Sequence, residues 1–298
     1  MAQKAKEEVT NVKTDLIKTI REHMPKMSKS HKMIAAYIID HPDSAAYLTA
    51  TKLGTVTGVS ESTVVRFAIE LGFKGYPEMQ KSLKDLIRTS MTSVQRVAAA
   101  DSLMSGGDVM SKIMNSDADK IRLTLEEASK EDFDRAVKMI TEAKNVYIIG
   151  IRSASMLSSF FAYYLNIILG NVTHLDVAST GEMFERLMHI SKGDVLVGIS
   201  FPRYSKRTKT AIEFAKKREA NILALTDSKS SPIATKADCT LIAKSDMASF
   251  VDSLVAPLSI INALIVAVSM NKKDELSDHL HALEKIWDEY EVYEKTTD

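Results

Sequence analysis

Apolar residues change their spacing part-way along the chain. Before Asn145 they recur every three or four positions, which predicts a series of helices, including those at 28–40 and 60–71. After Asn145 short runs rich in Val, Ile and Leu predict five strands, at 146–149, 172–177, 195–200, 222–226 and 240–243. Helices are predicted between most of these strands, most clearly at 160–169 and 208–219. We therefore predict an α/β fold, in which an all-α amino-terminal domain precedes a three-layer α/β/α sandwich with a five-stranded parallel sheet.

The segment from Gly58 to Arg66 has the residue types of a turn between two helices. Gly58 suits the left-handed conformation that ends one helix, and Ser60 suits the cap of the next. Helical spacing then leaves Ser62, Thr63 and Arg66 on the exposed face, near the start of the second helix. Hydroxyls and an arginine there can contact phosphates and base edges, so we predict a helix-turn-helix that binds DNA through Ser60 and these three residues. The alternative is a helical corner that only packs.

Length and composition are consistent with a soluble protein of two domains, and charge is unevenly divided between its halves. The chain has 298 residues, of which 45% are hydrophobic and 26% charged, as in ordinary soluble globular proteins. Residues 1–90 hold 14 Lys+Arg and 10 Asp+Glu, a net charge of +4, so the rest of the neutral chain carries −4. The basic excess is small, and dimerisation would double it on DNA.

A stretch rich in Ser, Ala and Gly separates the two halves and includes Ser105-Gly106-Gly107. We predict a DNA-binding domain at 1–88, a linker at 89–107 and a sensing domain at 108–298. Ligand control of DNA binding would then pass through this linker.

Cysteine usage and hydropathy bear on location and assembly. Cys239 has no partner for an internal disulfide, and the charged amino terminus has no apolar signal core, so we predict a cytoplasmic protein. The apolar run 254–270 contains Pro257 and is shorter than the ~20 residues that a membrane span needs. We predict no membrane association and interpret this run as a buried helix at the interface of a homodimer or homotetramer.

Hydroxyl and cationic side chains are concentrated in two loops that follow predicted strands. Such loops meet at the carboxyl edge of a parallel sheet, where helix N-termini favour anions. We predict a ligand site there, formed by Arg152, Ser153, Ser155, Ser200, Arg203, Ser205 and Arg207. The alternative is that the serines are ordinary helix caps and that the cations face solvent.

Four motifs together resemble the RpiR family of bacterial transcription regulators, over nearly the full length. They are the segments 58–67, 71–76, 148–150 and 199–205. The family joins a helix-turn-helix domain to a SIS (sugar isomerase) domain. The resemblance implies a cofactor-free regulator, not an enzyme, which assembles as a dimer or tetramer, binds operator DNA and senses a phosphorylated sugar or a related metabolite.

The predicted ligand loops depart from the usual SIS pattern. Pro202 and Arg203 stand where that pattern has its second serine and its glycine, and Arg152 stands where a second glycine is frequent in the first loop. Arginine grips a carboxylate or phosphate through two hydrogen bonds, so these changes favour a more negatively charged ligand, or a sugar acid.

Two other functions compete with the regulator. A SIS fold can isomerise sugar phosphates, which needs a poised base, and Glu182 or Glu185 lies in the region where such enzymes can carry one. Neither ligand loop offers a base, and the seven histidines lack metal-site spacing. The second rival is a DNA-binding protein whose carboxy-terminal domain serves only for assembly.

Overall fold

The computed structural model describes residues 16–90, 94, 96–97, 108–246 and 251–294. The chain divides into two compact units, 1–95 and 96–298. Most of the predicted linker at 89–107 lies outside the described residues, and the predicted domain boundaries stay predictions.

The first unit is helical, as predicted. Its hydrophobic core includes Ile34, Ile38, Leu53, Phe67 and Leu83, all essentially inaccessible to solvent. Burial of these large side chains is what holds such short helices together, since each is marginal alone. The helices are α1 (Leu16–His23), α2 (Lys29–Asp40), α3 (Pro42–Ala45), α4 (Ala50–Thr57), α5 (Glu61–Glu70) and α6 (Tyr76–Ser90), with a 3-10 turn at Met24–Lys26.

The second unit contains the predicted five-stranded sheet, and all four strand pairs are parallel. The order across the sheet is β2-β1-β3-β4-β5, so the direction of chain progression reverses between β1 and β3. Such a reversal opens a crevice at the carboxyl ends of the two central strands. The strands are β1 (Val146–Gly150), β2 (Val172–His174), β3 (Val195–Ile199), β4 (Asn221–Thr226) and β5 (Cys239–Ile242).

Helices cover both faces of the sheet and confirm the three-layer prediction. One face packs against α8, α9 and α12, and the other against α10 and α11, each around its own cluster of buried apolar residues. The helices of this unit are α7 (Val109–Glu127), α8 (Lys130–Thr141), α9 (Ala154–Leu169), α10 (Thr180–Leu187), α11 (Lys206–Lys217), α12 (Val255–Asn271) and α13 (Lys273–Glu289), with a 3-10 turn at Ala234–Lys236.

Two element boundaries differ from the sequence prediction by three residues or more. Helix α9 begins six residues earlier than predicted, at Ala154, because its Ser-rich first turns pack on the end of β1 despite their low helix propensity. Strand β2 ends at His174 instead of residue 177. It is an edge strand, and after the Leu175 N–H donates to the Ile148 carbonyl the chain turns toward α10.

The apolar run 254–270 forms helix α12, as predicted, but its burial is one-sided. Ile261, Leu264 and Val268 are buried against the sheet, whereas Val266 and Met270 on the outer side are exposed. In the described part of the chain, no single helix is long and apolar enough to span a bilayer. Helices α12 and α13 reach that length only as a pair bent by 99°.

Candidate functional site

The turn between α4 and α5 has the predicted helix-turn-helix geometry. Gly58 ends α4 with φ +68°, and the Ser60 hydroxyl accepts a hydrogen bond from the Thr63 N–H at 3.3 Å, which caps α5. Gly54 was not singled out from the sequence. A Cβ at that position would lie 2.7 Å from the Val59 carbonyl oxygen, so only glycine lets the turn fold back against α4.

The four residues predicted to contact DNA lie together at the start of α5. The Ser60 hydroxyl is 3.0 Å from that of Ser62 and 2.8 Å from that of Thr63. The Arg66 guanidinium folds back along the helix, where Nε donates to the Ser62 carbonyl at 3.3 Å and Nη2 to the Thr63 hydroxyl at 3.4 Å. These side chains form one polar surface, and Val64, Phe67 and Ala68 are buried behind it.

The two predicted ligand loops start from adjacent strands. Gly150, the last residue of β1, pairs with Ile199, the last residue of β3. The first loop leads to α9 on one face of the sheet and the second to α11 on the other. The loops therefore diverge at the position where the strand order reverses, which is the usual ligand site of such sheets.

The first loop is tightly held by its own hydrogen bonds. Arg152 is exposed and has φ +63°, a conformation that is strained for a residue with a side chain. Its carbonyl oxygen accepts two hydrogen bonds from Ser155, one from the N–H at 2.9 Å and one from the hydroxyl at 2.6 Å. Ser153 stands at the N-cap of α9, and its side chain makes no capping bond there.

The second loop carries a capped helix N-terminus. The Ser205 hydroxyl accepts from the Thr208 N–H at 3.3 Å, and the Ser205 N–H donates to the hydroxyl of the buried Ser200 at 3.1 Å. Arg203, between them, is exposed. Thr208 was not among the site residues predicted from the sequence. Its hydroxyl is fully buried and has no hydrogen-bond partner among the described residues, an unusual state for a polar atom.

Arg207 binds the main chain of a neighbouring segment. Its Nη1 donates to the Val177 carbonyl at 2.9 Å, just beyond β2. The loop after β4 is connected to the second loop by one hydrogen bond, which the Tyr204 hydroxyl donates to Asp227 Oδ1 at 2.8 Å.

A serine and a histidine lie within hydrogen-bonding distance beside the first loop. The serine hydroxyl proton is directed away from the histidine, which does not suit nucleophilic catalysis. The Ser158 hydroxyl lies 3.0 Å from the Ser155 carbonyl oxygen and 3.0 Å from His174 Nε2. A carbonyl can only accept, so the hydroxyl proton goes to Ser155, and this arrangement requires His174 to be the Nε2–H tautomer that donates to Ser158. A nucleophilic serine would instead give its proton to the histidine.

One of the two carboxylates considered as an isomerase base is also engaged. Glu182 Oε2 accepts from the Ala178 N–H at 2.9 Å, and Oε1 accepts from Arg186 Nη2 at 2.8 Å. The backbone hydrogen bond from Ala178, with a smaller contribution from Arg186, holds the Glu182 pKa below its ordinary value. A carboxylate stabilised in this way is a weak proton acceptor, which disfavours the isomerase.

Comparison with known families matches both units in the expected order. The family model for the helix-turn-helix domain of the rpiR family matches residues 14–90, and that for the SIS domain matches residues 139–267. The chain belongs to the rpiR family. It is a DNA-binding transcriptional regulator with a SIS domain, and the isomerase alternative has less support.

Individual relatives resemble this regulator over nearly their whole length. The HTH-type transcriptional regulator HexR of Escherichia coli is 25% identical over 278 residues, which are 89% of this chain and 92% of HexR. An HTH-type regulator of Caldanaerobacter subterraneus is 26% identical over 90% of this chain and 95% of its own. The structure of Vibrio vulnificus NanR in complex with ManNAc-6P has the same fold, with a TM-score of 0.58 and 22% identity over 91% of this chain and 97% of NanR.

The environment of His174 predicts a pH dependence of stability. Burial lowers the His174 pKa, the nearby Asp176 raises it by a smaller amount, and Arg186 lowers it further. The folded state therefore prefers the neutral ring. The stability that this preference contributes is lost as pH falls below about 6.5, the pKa of histidine in the unfolded chain. We expect thermal unfolding between about pH 7.5 and pH 5.5 to show a smaller loss for His174→Gln than for wild type. The exposed His189→Gln is the control and should behave like wild type; an identical loss in all three proteins would contradict the assignment.

Proposed function

We propose that this regulator binds a phosphorylated sugar or sugar acid between the loops after β1 and β3, and that the bound ligand changes its affinity for operator DNA. The observation that carries the proposal is the pairing of Gly150 with Ile199 at the reversal of strand order, since it brings both cationic loops to one crevice.

The chemistry of the two loops favours an anionic group. The N-terminus of α11 directs main-chain N–H groups and the positive end of its dipole toward the second loop. Ser200 and Ser205 add hydroxyls there, and the exposed Arg152 and Arg203 add positive charge from either side. The NanR structure, whose fold this chain shares, contains ManNAc-6P, which supports the same class of ligand here.

Substitution of Arg203 tests the proposed anion site. If Arg203 contacts the ligand, Arg203→Ala should weaken binding by about 1.5–3 kcal/mol, the free energy of a hydrogen bond to a charged group. A thermal-shift screen of phosphorylated sugars and sugar acids on the full chain would first identify a ligand, and calorimetry would then compare the two proteins. Lys209→Ala removes a cation from α11, the helix that follows the loop. Lys209 is paired with Glu213, and its removal should leave affinity unchanged. Equal affinity in all three proteins would exclude Arg203 from the site.

We propose that Ser60, Ser62, Thr63 and Arg66 form the operator-contacting surface. They occupy the exposed first turns of the helix that follows the turn, which is the part that reaches base edges in helix-turn-helix proteins.

Arg66→Ala should weaken specific operator binding by about 1–3 kcal/mol and leave the fold intact, because its side chain is exposed. Fluorescence anisotropy with specific and scrambled duplexes would measure the effect. Arg21→Ala removes the same charge from the end of α1 and should affect both duplexes alike. Wild-type specificity in a folded Arg66→Ala protein would refute this placement.

We also propose that the regulator is a homodimer or homotetramer that associates through α7 and α12. Met110, Met114, Ile121 and Leu125 recur along one face of α7 and are exposed by 67%, 64%, 37% and 75%. Helix α7 packs against α12, on whose outer side Met270 is 74% exposed. Exposed apolar residues repeated along a helix mark an interface, and a two-fold protein suits paired half-sites on DNA.

Met114→Glu and Leu125→Glu should each shift the assembly toward monomer, because they place a charge inside an apolar interface. Light scattering at micromolar concentration would measure the mass. Asn115→Glu adds the same charge one residue away, on a different side of α7, and should stay assembled. A wild-type monomer, or variants that all associate normally, would overturn this interface.

A further inference from the structure

A series of hydrogen bonds connects strand β2 to the first ligand loop. His174 Nε2 lies 3.0 Å from the Ser158 hydroxyl, and that hydroxyl donates to the Ser155 carbonyl at 3.0 Å. Ser155 in turn donates twice to the carbonyl of Arg152, at 2.9 and 2.6 Å. With the His174 proton on Nε2, every step has one donor and one acceptor, and the series runs in one direction from the imidazole to the loop.

Residues 174–178, which begin at the last residue of β2, also form hydrogen bonds with residues of α10 and α11. Arg207, which follows the cap of α11 by two residues, donates to the Val177 carbonyl at 2.9 Å. On α10, Glu182 accepts from the Ala178 N–H at 2.9 Å, and Arg186 donates to the His174 carbonyl at 3.5 Å. Residues 174–178 therefore bond to the β1 loop through one end and to the helix of the β3 loop through the other.

We infer that His174 and Ser158 are positioning residues for the anion site, which set the place of the Arg152 loop relative to the N-terminus of α11. The inference rests on the proposed function, because it assigns these residues a role in the affinity of the same site. Neither has to touch the ligand, and Ser158 is fully buried.

The loop needs such support for two physical reasons. The left-handed backbone of Arg152 persists only when the surrounding structure holds it, and the Ser155 bonds to its carbonyl supply that restraint. Space at the start of α9 is also limited. A Cβ at Gly150 would collide with the Ala154 carbonyl and lie 2.9 Å from the Ser158 hydroxyl. A loop held in its binding conformation loses less entropy when the anion binds.

Sulfate is the probe for this inference, since its charge stays constant around neutral pH. An NMR titration of the 15N-labelled full chain would give its affinity well below the unfolding temperature. His174→Leu and Ser158→Ala should each weaken sulfate binding by about 3- to 10-fold, the effect of one lost hydrogen bond. The double variant should be no weaker than His174→Leu, and His174→Gln, which keeps a donor, should recover most of the affinity. The exposed Ser159→Ala and His189→Leu are matched controls with wild-type affinity.

The outcomes separate the inference from the proposed function. Absence of sulfate binding by wild type would overturn the anion site itself. If His174→Leu lowers the unfolding temperature but binds sulfate with wild-type affinity, the anion site is retained. His174 and Ser158 then contribute only to stability, which overturns the inference. The imidazole nitrogen shifts of wild type give a result even where a variant does not fold: the inference requires the proton on Nε2, and an Nδ1–H tautomer would refute it.

Discussion

The second unit depends on the close approach of two helices to the carboxyl ends of β1 and β3. Gly150 and Gly198 make this possible, because a Cβ at Gly150 would strike the Ala154 carbonyl and one at Gly198 would lie 2.6 Å from Ile212 Cδ1. Helices packed so tightly fix where their first turns lie. The reversal of strand order then places those turns on opposite faces of the sheet, on either side of one crevice.

This arrangement suits binding better than bond rearrangement. Isomerisation of a sugar phosphate needs a group that takes a proton from carbon and returns it. Two proton-transfer groups near the crevice are held by structural hydrogen bonds, since His174 bonds to Ser158 and Glu182 accepts from Ala178 and Arg186. The two loops also carry the exposed cations Arg152 and Arg203, and cations can recognise an anion without changing it.

The sequence was most informative where a feature is set by residues close together in the chain. The left-handed Gly58, the Ser60 cap and the polar face ending at Arg66 lie within nine residues, and simple helix rules located all of them. The parallel sheet was equally accessible, because continuous apolar runs alternate with helices. The bonds from Ser158 to His174 and from Arg207 to Val177 span 16 and 30 residues. Such partners are chosen by tertiary packing, so neither composition nor periodicity could reveal them.

Control of DNA binding by a ligand requires a coupling free energy, and coupling is reciprocal, so operator DNA must change ligand affinity by the same factor. The chain path limits where this coupling crosses between the units. Arg96 belongs to the second unit, where its buried guanidinium binds Asp252 at 2.9 Å, ahead of α12. A buried ion pair resists separation, because either charge alone would be left desolvated. By sequence, Ser105-Gly106-Gly107 lies between Arg96 and the start of α7, both of which belong to the second unit. Along the covalent chain, the two units are joined by the few residues between α6 and Arg96, which are part of the predicted linker 89–107.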